Sequence, residues 1–575
     1  MLLDAQAISR LRSHLEHLYG DDSTAALETL SQVLAQYGTL TRDEEPSTWD
    51  ERDVALIAYG DQIHAPDKTS LAALGEFLDG AGFDQLLNTI HLLPFFPYSS
   101  DDGFSVIDYR QVDPKAGTWE DIDRLGSNYR LAFDLVLNHC SRESQWFKDY
   151  LAGKPPYDEY FVEADPTVDL SAVTRPRSLP LLTEFETSRG TRHLWTTFSD
   201  DQIDLNYASP KLMAEMMDVL LFYVQHGARI VRLDAIAYLW KEPGTTCIHL
   251  PRTHTVVRLM REVLSMVAPG VWLLSETNVP HQENISYFGA GDEAQLVYQF
   301  SLPPLLLDAY LNEDAGPLTA WLPEVCETLP GTTFFNFTAS HDGVGVRPLE
   351  GLVPNERIDR LVEAVKQRGG AVSTRKRPDG TDSPYELNIS YLSALGEPGG
   401  MDPTLHARRF LASQAIMLSL RGIPGIYFHS LVGTPNDVEG WKSSGIPRRI
   451  NRHRYELSEL ESVLGEADGL QAQVLEGYQH LLKTRIAQSA FHPEAQQHPL
   501  VLPVDGVFGF VRQSNEANQQ IVVLANLCGT SRSVDLSVIE AGPLSRDLLT
   551  GQNIEDPTDF QLQPYQVVWL EAKSH

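Results

Sequence analysis

The chain has 575 residues, 42% of them hydrophobic, so it is long enough to bury a large core and to form several domains. It carries 78 acidic residues against 45 lysines and arginines, a formal net charge of −33. Such a surface repels phosphate backbones and anionic lipids, which argues against nucleic-acid and membrane partners. A saline habitat and ordinary acidity explain this charge equally well, since salt screens self-repulsion.

The cysteines and the start of the chain bear on its compartment. Cys140, Cys247, Cys326 and Cys528 are far apart and form no metal-type pair, which favours a reduced protein. Charged residues soon interrupt the apolar start, so no signal peptide is expected. No apolar run approaches the roughly 18 residues that cross a bilayer. We predict a cytoplasmic protein, as a monomer or a homodimer.

Residues 1–50 are predicted to form an N-terminal helical segment, because Ile8, Leu11, Leu15 and Leu18 share one helix face. Beyond it, short apolar runs alternate with amphipathic helical stretches. Eight runs are typical of buried parallel strands. They lie at residues 54–59, 89–94, 131–137, 229–233, 271–274, 295–298, 333–337 and 425–428. Successive βα units of this kind predict an α/β fold, a (β/α)8 TIM barrel.

Two connections are too long for simple barrel loops, and such loops often carry function. We predict an inserted domain B at residues 141–207 and an inserted domain B′ at residues 343–402, the latter marked by Gly-Gly turns. The barrel is then assigned to residues 51–140, 208–342 and 403–490. Strand-like runs between Gly, Asn and Asp turns predict a C-terminal all-β sandwich at residues 491–575.

Two of the strand-like runs end in a carboxylate, Asp234 and Glu276. Catalytic groups of a (β/α)8 barrel lie at these strand ends, and a retaining glycosidase uses two carboxylates, one as nucleophile and one as acid/base. Arg232 shares a strand face with Asp234 and is expected to hold it ionised. Glu276, near another carboxylate in a drier cleft, is expected to have a raised pKa. A core salt bridge and a helix-start glutamate are the alternative interpretations.

Two more strand ends combine an imidazole with a carboxylate. His341 and Asp342 follow the run 333–337, where they could hold sugar hydroxyls and stabilise a positively charged transition state. Asp134 lies on the third strand, and His139 follows it. Singly, these residues are explained as well by a loop cap or a structural histidine. Four such signals at four strand ends indicate an active site.

The four motifs, at residues 134–139, 228–234, 275–277 and 340–342, resemble those of glycoside hydrolase family 13, the α-amylase superfamily. From about residue 50 onward the chain is similar to its sucrose phosphorylase subfamily. The longer matching strings are HLLPFFP (91–97), DGFSVIDY (102–109), WTTFSDDQID (195–204), KEPGTTC (241–247) and INRH (450–453). The resemblance implies a transferase, a retaining α-glucoside phosphorylase that forms α-glucose 1-phosphate through a β-glucosyl-enzyme.

The resemblance also implies roles for single residues. Asp234 would be the nucleophile, Glu276 the acid/base and Asp342 the transition-state stabiliser. The residues lining the glucose subsite would be Asp61, His91, Phe198, Arg232, His341 and Arg448. Those at the acceptor and phosphate site would be Arg177, in the first insert, and Tyr385 and Glu386, in the acceptor-site loop of the second. No metal or cofactor is expected. Inorganic phosphate would take part as a co-substrate.

The acceptor depends on the second insert. Sucrose phosphorylases have Gln where Glu386 stands, and the strings TRPRSLPLL (174–182) and SPYE (383–386) look more like those of glucosylglycerol and glucosylglycerate phosphorylases. Glycerate should avoid an ionised Glu386, whereas neutral glycerol tolerates it. We therefore predict phosphorolysis of 2-O-α-D-glucosylglycerol, which releases glycerol. Glucosylglycerate is the alternative, then sucrose or sucrose 6-phosphate, for which residues 375–377 could supply cations.

Rival classes are a hydrolase of the same fold and a non-catalytic carbohydrate-binding protein of the family. The hydrolase would release glucose without phosphate. A non-catalytic protein would lack the nucleophile or the acid, yet Asp234, Glu276 and Asp342 are all present. A calcium-dependent amylase is a weaker alternative, because the sequence shows no clear cage of hard oxygen ligands.

Overall fold

The computed structural model describes residues 5–38, 40, 49–177, 179–376, 381–516 and 518–572. Eight parallel strands close into a barrel, each bonded to the next in chain order and the last to the first. They are β1 (Ala55–Ala58), β2 (Thr89–Leu92), β3 (Arg130–Val136), β4 (Ala228–Asp234), β5 (Trp272–Ser275), β6 (Leu296–Tyr298), β7 (Thr333–Phe337) and β8 (Ile423–Tyr427). The predicted (β/α)8 barrel is confirmed, and all eight predicted runs contribute a strand.

The barrel strands are apolar because both of their faces are covered. Every residue of β1, β2 and β6 is buried, on one side by the barrel interior and on the other by helices. The surrounding helices are Ser70–Gly80, Trp119–Gly126, Pro210–Gln225, Pro251–Val267, His281–Ile285, Leu302–Asn312, Pro403–Ser419 and Leu470–Arg485. Local signals fix their starts; Thr118 and Asp121, for example, form a reciprocal capping box.

Two helices, Ala5–Tyr19 and Ser23–Tyr37, lie outside the barrel. They contact the barrel helices Pro251–Val267 and Pro210–Gln225, respectively. Their buried side chains include Leu11, Leu15 and Leu18, the stripe that the sequence pattern predicts. Among the helices of the described ranges, none is both long and apolar enough to cross a bilayer.

Both long connections leave the carboxyl ends of barrel strands, the side on which such barrels place their sites. After β3 come strand His139–Ser141, helix Gln145–Leu151, the hairpin Leu182–Thr187 with Gly190–Trp195, and strand Gln202–Asp204. After β7 come strand Val344–Gly345, helix Asn355–Gln367, strands Ala371–Lys376 and Asp382–Asn388, and helix Tyr391–Ala394. The last two strands form an antiparallel sheet with Val344–Gly345, in which Asp382–Asn388 is central. The predicted domain boundaries stay predictions.

Shorter helices and strands lie in the loops after β6 and β8. Helix Gly316–Trp321 follows the helix after β6. The long loop after β8 holds helices Phe428–Leu431, Val438–Ser444 and Leu457–Leu464, and strand Tyr455–Glu456, which pairs with Ile63–His64. Within this loop, the 3-10 helix Pro447–Asn451 carries Arg448.

The C-terminal region is all-β. Its five-stranded antiparallel sheet has the order Gln496–Leu500, Val507–Gln513, Gln520–Asn526, Val567–Ala572 and Leu544–Asp547. A two-stranded sheet, Arg532–Val534 with Phe560–Leu562, covers one face. Along strand Gln520–Asn526 the side chains alternate: Val522 and Leu524 join the cluster under the small sheet, whereas Ile521 and Val523 join the main core with the barrel. The sheet is therefore buried on both faces.

Candidate active site

The buried guanidinium of Arg232 lies among three buried carboxylates at the strand ends. On β4 it lies opposite Asp134 of β3 and Leu274 of β5. Its Nη1 donates to Asp134 and, at 2.8 Å, to Asp234, while its Nη2 lies 3.8 Å from Glu276. The strand register brings Asp234 and Glu276 to the same level, one residue beyond the last paired positions of β4 and β5.

The backbone between these two carboxylates orients Glu276. Its own N–H donates to the carbonyl of Leu233 at 3.2 Å and so extends the β ladder. Ala235 has a left-handed backbone with φ of 48°. Its N–H donates to Glu276 Oε2 at 2.8 Å. A strained residue directly after β4 thus holds the Glu276 carboxylate beside Asp234.

Burial raises the pKa of both carboxyl groups. For Asp234, the Glu276 and Asp134 charges raise it further and Arg232 opposes them. For Glu276, the Asp342 charge adds to burial and Arg232 again opposes. This differs from the expectation that Arg232 simply keeps Asp234 ionised: the pair retains a proton more readily than carboxyls in water. The guanidinium lies 2.8 Å from Asp234 but 3.8 Å from Glu276, which favours the proton on Glu276.

Asp342, in the turn after β7, has a lowered pKa, in contrast to Asp234 and Glu276. Its Oδ1 lies 2.6 Å from Arg448 Nη1 and 3.5 Å from Arg452 Nη2. Burial alone would raise the pKa of Asp342, but Arg448 and the neighbouring cations outweigh it and hold this pKa well below its ordinary value. Asp342 is therefore ionised over the physiological pH range, whereas burial raises the pKa of both carboxyl groups of the pair beside it.

Two histidines present unused ring nitrogens. His341 stacks on Phe104 with centroids 4.6 Å apart and planes 5° apart. Burial lowers the pKa of His341 to about 3, so its ring is neutral at neutral pH. His91 Nε2 lies 2.7 Å from Asp134 Oδ2. Within the described ranges, Nδ1 of either histidine is buried without a hydrogen-bond partner. Both nitrogens thus have hydrogen-bonding capacity that the described residues do not use.

Arg448 joins Asp342 to the second insert. Its Nε and Nη2 donate to the two oxygens of Glu386 at 3.0 and 2.9 Å, while its Nη1 faces Asp342. Glu386 is only 1% exposed. A bidentate pair of this kind fixes the geometry of both groups. The Glu386 charge is therefore balanced by Arg448 and is not presented alone to a ligand.

Tyr238 and Tyr385 mark the side of the site that faces the two inserts. Burial raises the pKa of Tyr385 to about 12, with a further contribution from Glu386, and Arg177 opposes this rise. Burial also raises the pKa of Tyr238, whose hydroxyl is within the electrostatic range of Glu276. Arg347 and Arg375 act on the same hydroxyl. The charges of three arginines, one from the first insert and two from the second, thus act on these two tyrosine hydroxyls.

Asp61 and Phe198 lie at the margin of this arrangement. Asp61 Oδ1 forms an ion pair with Arg454 Nε at 2.8 Å. Among the described residues, Asp61 forms no ion pair with Arg232 or Arg448. The ring of Phe198 lies between those of His139 and Tyr238, at 5.2 and 5.6 Å. Phe198 therefore borders the tyrosine side. The roles predicted for both residues stay predictions.

Comparisons with known proteins agree with this geometry. A family model described as "Alpha amylase, catalytic domain" matches residues 82–325. The glucosylglycerate phosphorylase of Spirochaeta thermophila is 46% identical over 584 residues, 98% of this chain and 99% of that protein. The chain belongs to the phosphorylases of the α-amylase family, glycoside hydrolase family 13. This phosphorylase is thus an enzyme, a glycosyltransferase with small-molecule substrates, and the family predicted from the sequence is confirmed.

The phosphorylase has further relatives with other substrates. The glucosylglycerol phosphorylase of Marinobacter adhaerens is 30% identical over 450 residues, 76% of this chain and 88% of that protein. The crystal structure of sucrose 6F-phosphate phosphorylase from Thermoanaerobacter thermosaccharolyticum superposes with a TM-score of 0.72 at 27% identity, covering 83% of this chain and 94% of that one.

Three site residues of the phosphorylase were missed by the sequence analysis: Asp101, Phe104 and Arg452. Phe104 lies under His341, and its ring centroid is 5.7 Å from the Arg232 guanidinium carbon. Arg452 donates to the His341 carbonyl at 2.7 Å and lies 3.5 Å from Asp101. Phe104 and Arg452 fall within strings that match the subfamily, and Asp101 directly precedes one. That match was the available signal, but it does not show that the two segments meet.

A buried ammonium group supports the tyrosine side of the phosphorylase. Lys241 Nζ donates to Asn138 Oδ1 and to the Tyr238 carbonyl, at 2.6 Å each, and lies 2.7 Å from Asp204 Oδ2. It thereby joins the loops after β3 and β4 to the first insert and positions Tyr238. In the part of the chain that the structure describes, no three His, Cys, Asp or Glu side chains converge as metal ligands do. The absence of a cofactor stays a prediction.

Proposed function

We propose that this enzyme phosphorolyses glucosylglycerate to α-D-glucose 1-phosphate and glycerate. The prediction of glucosylglycerol is not confirmed. The observation that carries the proposal is the positive charge on the tyrosine side: Arg347 and Arg375 act on the Tyr238 hydroxyl and Arg177 acts on that of Tyr385. Both anions of this reaction, phosphate and glycerate, would bind there. Neutral glycerol would leave more of this positive charge without a counter-charge.

The argument that favoured glycerol depended on a free Glu386 charge. Its bidentate pair with Arg448, at 2.9 and 3.0 Å, removes that premise, because a paired carboxylate repels an incoming anion much less. Sequence similarity supports the same choice: a glucosylglycerate phosphorylase is 46% identical over 98% of the chain, against 30% over 76% for a glucosylglycerol phosphorylase.

The mechanism would be a double displacement. Asp234 attacks the anomeric carbon while Glu276 donates its proton to the glycosidic oxygen, so glycerate leaves and a β-glucosyl-enzyme forms. A phosphate oxygen then attacks the same carbon, Glu276 takes up the proton of the entering group, and Asp234 is released. Two inversions give net retention, and the product is α-glucose 1-phosphate.

The electrostatics of the site support this division of roles. The proton that burial favours on the Asp234–Glu276 pair is the proton that the leaving oxygen needs. Asp342 is ionised and can stabilise the positive charge that develops on the sugar ring. The free nitrogens of His91 and His341 would hold sugar hydroxyls, and Arg177 with Tyr385 would hold phosphate.

The proposal is tested by synthesis from glucose 1-phosphate, with phosphate release measured for glycerate, glycerol and fructose at matched concentrations. We expect kcat/KM for glycerate to exceed that for glycerol by at least about tenfold. This ratio corresponds to about 1.4 kcal/mol of additional transition-state stabilisation. A preference for glycerol would overturn the proposal. In the forward direction, glucose released without phosphate would instead identify a hydrolase.

A further inference from the structure

Arg347 lies next to the acceptor-site loop. It follows strand Val344–Gly345, in which Gly345 pairs with Glu386. The next residue, Val346, donates its N–H to the carbonyl of Tyr385 at 3.0 Å. This antiparallel pairing fixes Arg347 beside the segment that carries Tyr385 and Glu386. The two segments approach closely, because a side chain at Gly345 would meet Asn278 Oδ1 at 2.4 Å.

The loop that carries the acid/base is adjacent to the Arg347 segment, since Asn278, two residues after Glu276, lies against the backbone at Gly345. The charge of Arg347 acts on the hydroxyl of Tyr238, and the charge of Glu276 acts on the same hydroxyl. In glucosylglycerate the oxygen that Glu276 would protonate is bonded to the carbon that bears the carboxylate. A cation that binds this carboxylate must therefore lie near Glu276. Arg347, two residues beyond Gly345, lies in that region, and its charge and that of Glu276 act on the same Tyr238 hydroxyl.

Arg347 also lacks a counter-charge among the described residues. Its Nε is buried without a hydrogen-bond partner, and no carboxylate of those residues lies within 4 Å of its guanidinium. Two other cations of the site are paired: Arg375 lies 2.9 Å from Glu350, and Arg448 lies between Glu386 and Asp342. A partly buried guanidinium without an anion is unfavourable until a ligand supplies one, and its planar fork matches a carboxylate.

We infer that Arg347 binds the carboxylate of the acceptor and so selects glycerate over glycerol; this inference rests on the proposed function. Arg177, on the first insert, would serve phosphate. Glycerate holds its carboxylate on the carbon next to the bridging oxygen, whereas phosphate attacks with one of its own oxygens, so each anion would have its own principal arginine. The selectivity of the enzyme would then depend on one side chain of the second insert.

The test compares Arg347→Gln with the wild type in synthesis from glucose 1-phosphate, using glycerate and glycerol as acceptors. We expect kcat/KM for glycerate to fall at least about 30-fold, mainly through KM, as when one partner of a buried charge pair is truncated. For glycerol it should change less than about threefold. Arg347→Lys should recover part of the glycerate activity, because it restores the charge without the fork.

Two controls separate binding from folding. Arg360→Gln removes an exposed arginine from helix Asn355–Gln367 and should leave both acceptors unaffected. Transfer of glucose from glucose 1-phosphate to water should fall much less in Arg347→Gln than transfer to glycerate, since water brings no carboxylate. An equal loss with glycerate, glycerol and water would overturn the inference in favour of a structural role.

The outcomes distinguish this inference from the proposed function. If the wild type prefers glycerate and Arg347→Gln keeps that preference, the role of Arg347 is wrong while the proposed function stands. If the wild type itself prefers glycerol, the proposed function is wrong, and the carboxylate site is wrong with it. Loss of the preference in Arg347→Gln alone supports both.

Discussion

Replacing Glu386 by Gln removes one negative charge from the pair with Arg448 and nearly preserves the shape of the side chain. The wild-type pair has two charge-assisted hydrogen bonds, at 2.9 and 3.0 Å, of which an amide oxygen can retain one. Such bonds contribute about 1.5–3 kcal/mol each and neutral ones about 1 kcal/mol. Because Arg448 keeps Asp342 at 2.6 Å, we take the lower end, a loss of about 2 kcal/mol.

This loss should appear in catalysis, since Arg448 positions Asp342. If the whole loss of about 2 kcal/mol raises the free energy of the transition state, kcat/KM for phosphorolysis falls about 30-fold, because about 1.4 kcal/mol corresponds to a factor of ten. The measurement is the initial rate of glucose 1-phosphate formation with glucosylglycerate as substrate. Glu540→Gln, at an exposed position of the C-terminal region, is the matched control. An unchanged kcat/KM in Glu386→Gln would refute the view that this pair orients Asp342.

Three further predictions concern the catalytic pair and its support. Asp234→Ala should abolish turnover, and mass spectrometry of the quenched reaction should detect no glucosyl-enzyme; a trapped adduct would assign the nucleophile elsewhere. Burial raises the pKa of Glu276, and its protonated form is the acid, so kcat/KM should fall as pH rises through this raised pKa; Glu276→Gln should lose that limb of the pH profile, and a persisting limb would assign the acid elsewhere. Lys241→Met leaves Asp204 buried opposite an apolar side chain and should lower the free energy of unfolding by about 3–5 kcal/mol in thermal or urea denaturation. The exposed Lys211, paired with Glu159 at 2.7 Å, is its control, and Lys211→Met should cost at most about 1 kcal/mol; an equal effect of both would contradict the buried role.

The barrel could be predicted because its strands are buried on both faces. Such strands appear in sequence as uninterrupted apolar runs, and the closing carboxylates of β4 and β5 stand out against them. Asp234 and Glu276 were selected as candidates for that reason. The same reasoning separated the C-terminal sheet, whose strands lie between turn residues.

The pairing of charges could not be predicted in this way. Arg448 and Glu386 are 62 residues apart, and Arg452 and Asp102 are 350 apart, so their contacts depend on how the loops fold over the barrel. Asp61 shows the converse problem: a matching position in the chain did not indicate that its carboxylate would pair with Arg454. The charge of Glu386 was interpreted as free because its partner lies in another loop.

Arg448 links acceptor preference to glucosyl transfer and so limits how acceptor preference can diverge within this family. One guanidinium contacts both Glu386, proposed for the acceptor site, and Asp342, proposed to stabilise the transition state, so a mutation that changes acceptor binding should also disturb glucosyl transfer. Changes at these positions should be epistatic, with a double variant far from the sum of the single ones. Evolution, or an engineer, would have to exchange this trio together, and Arg347 lies outside it as an independent handle.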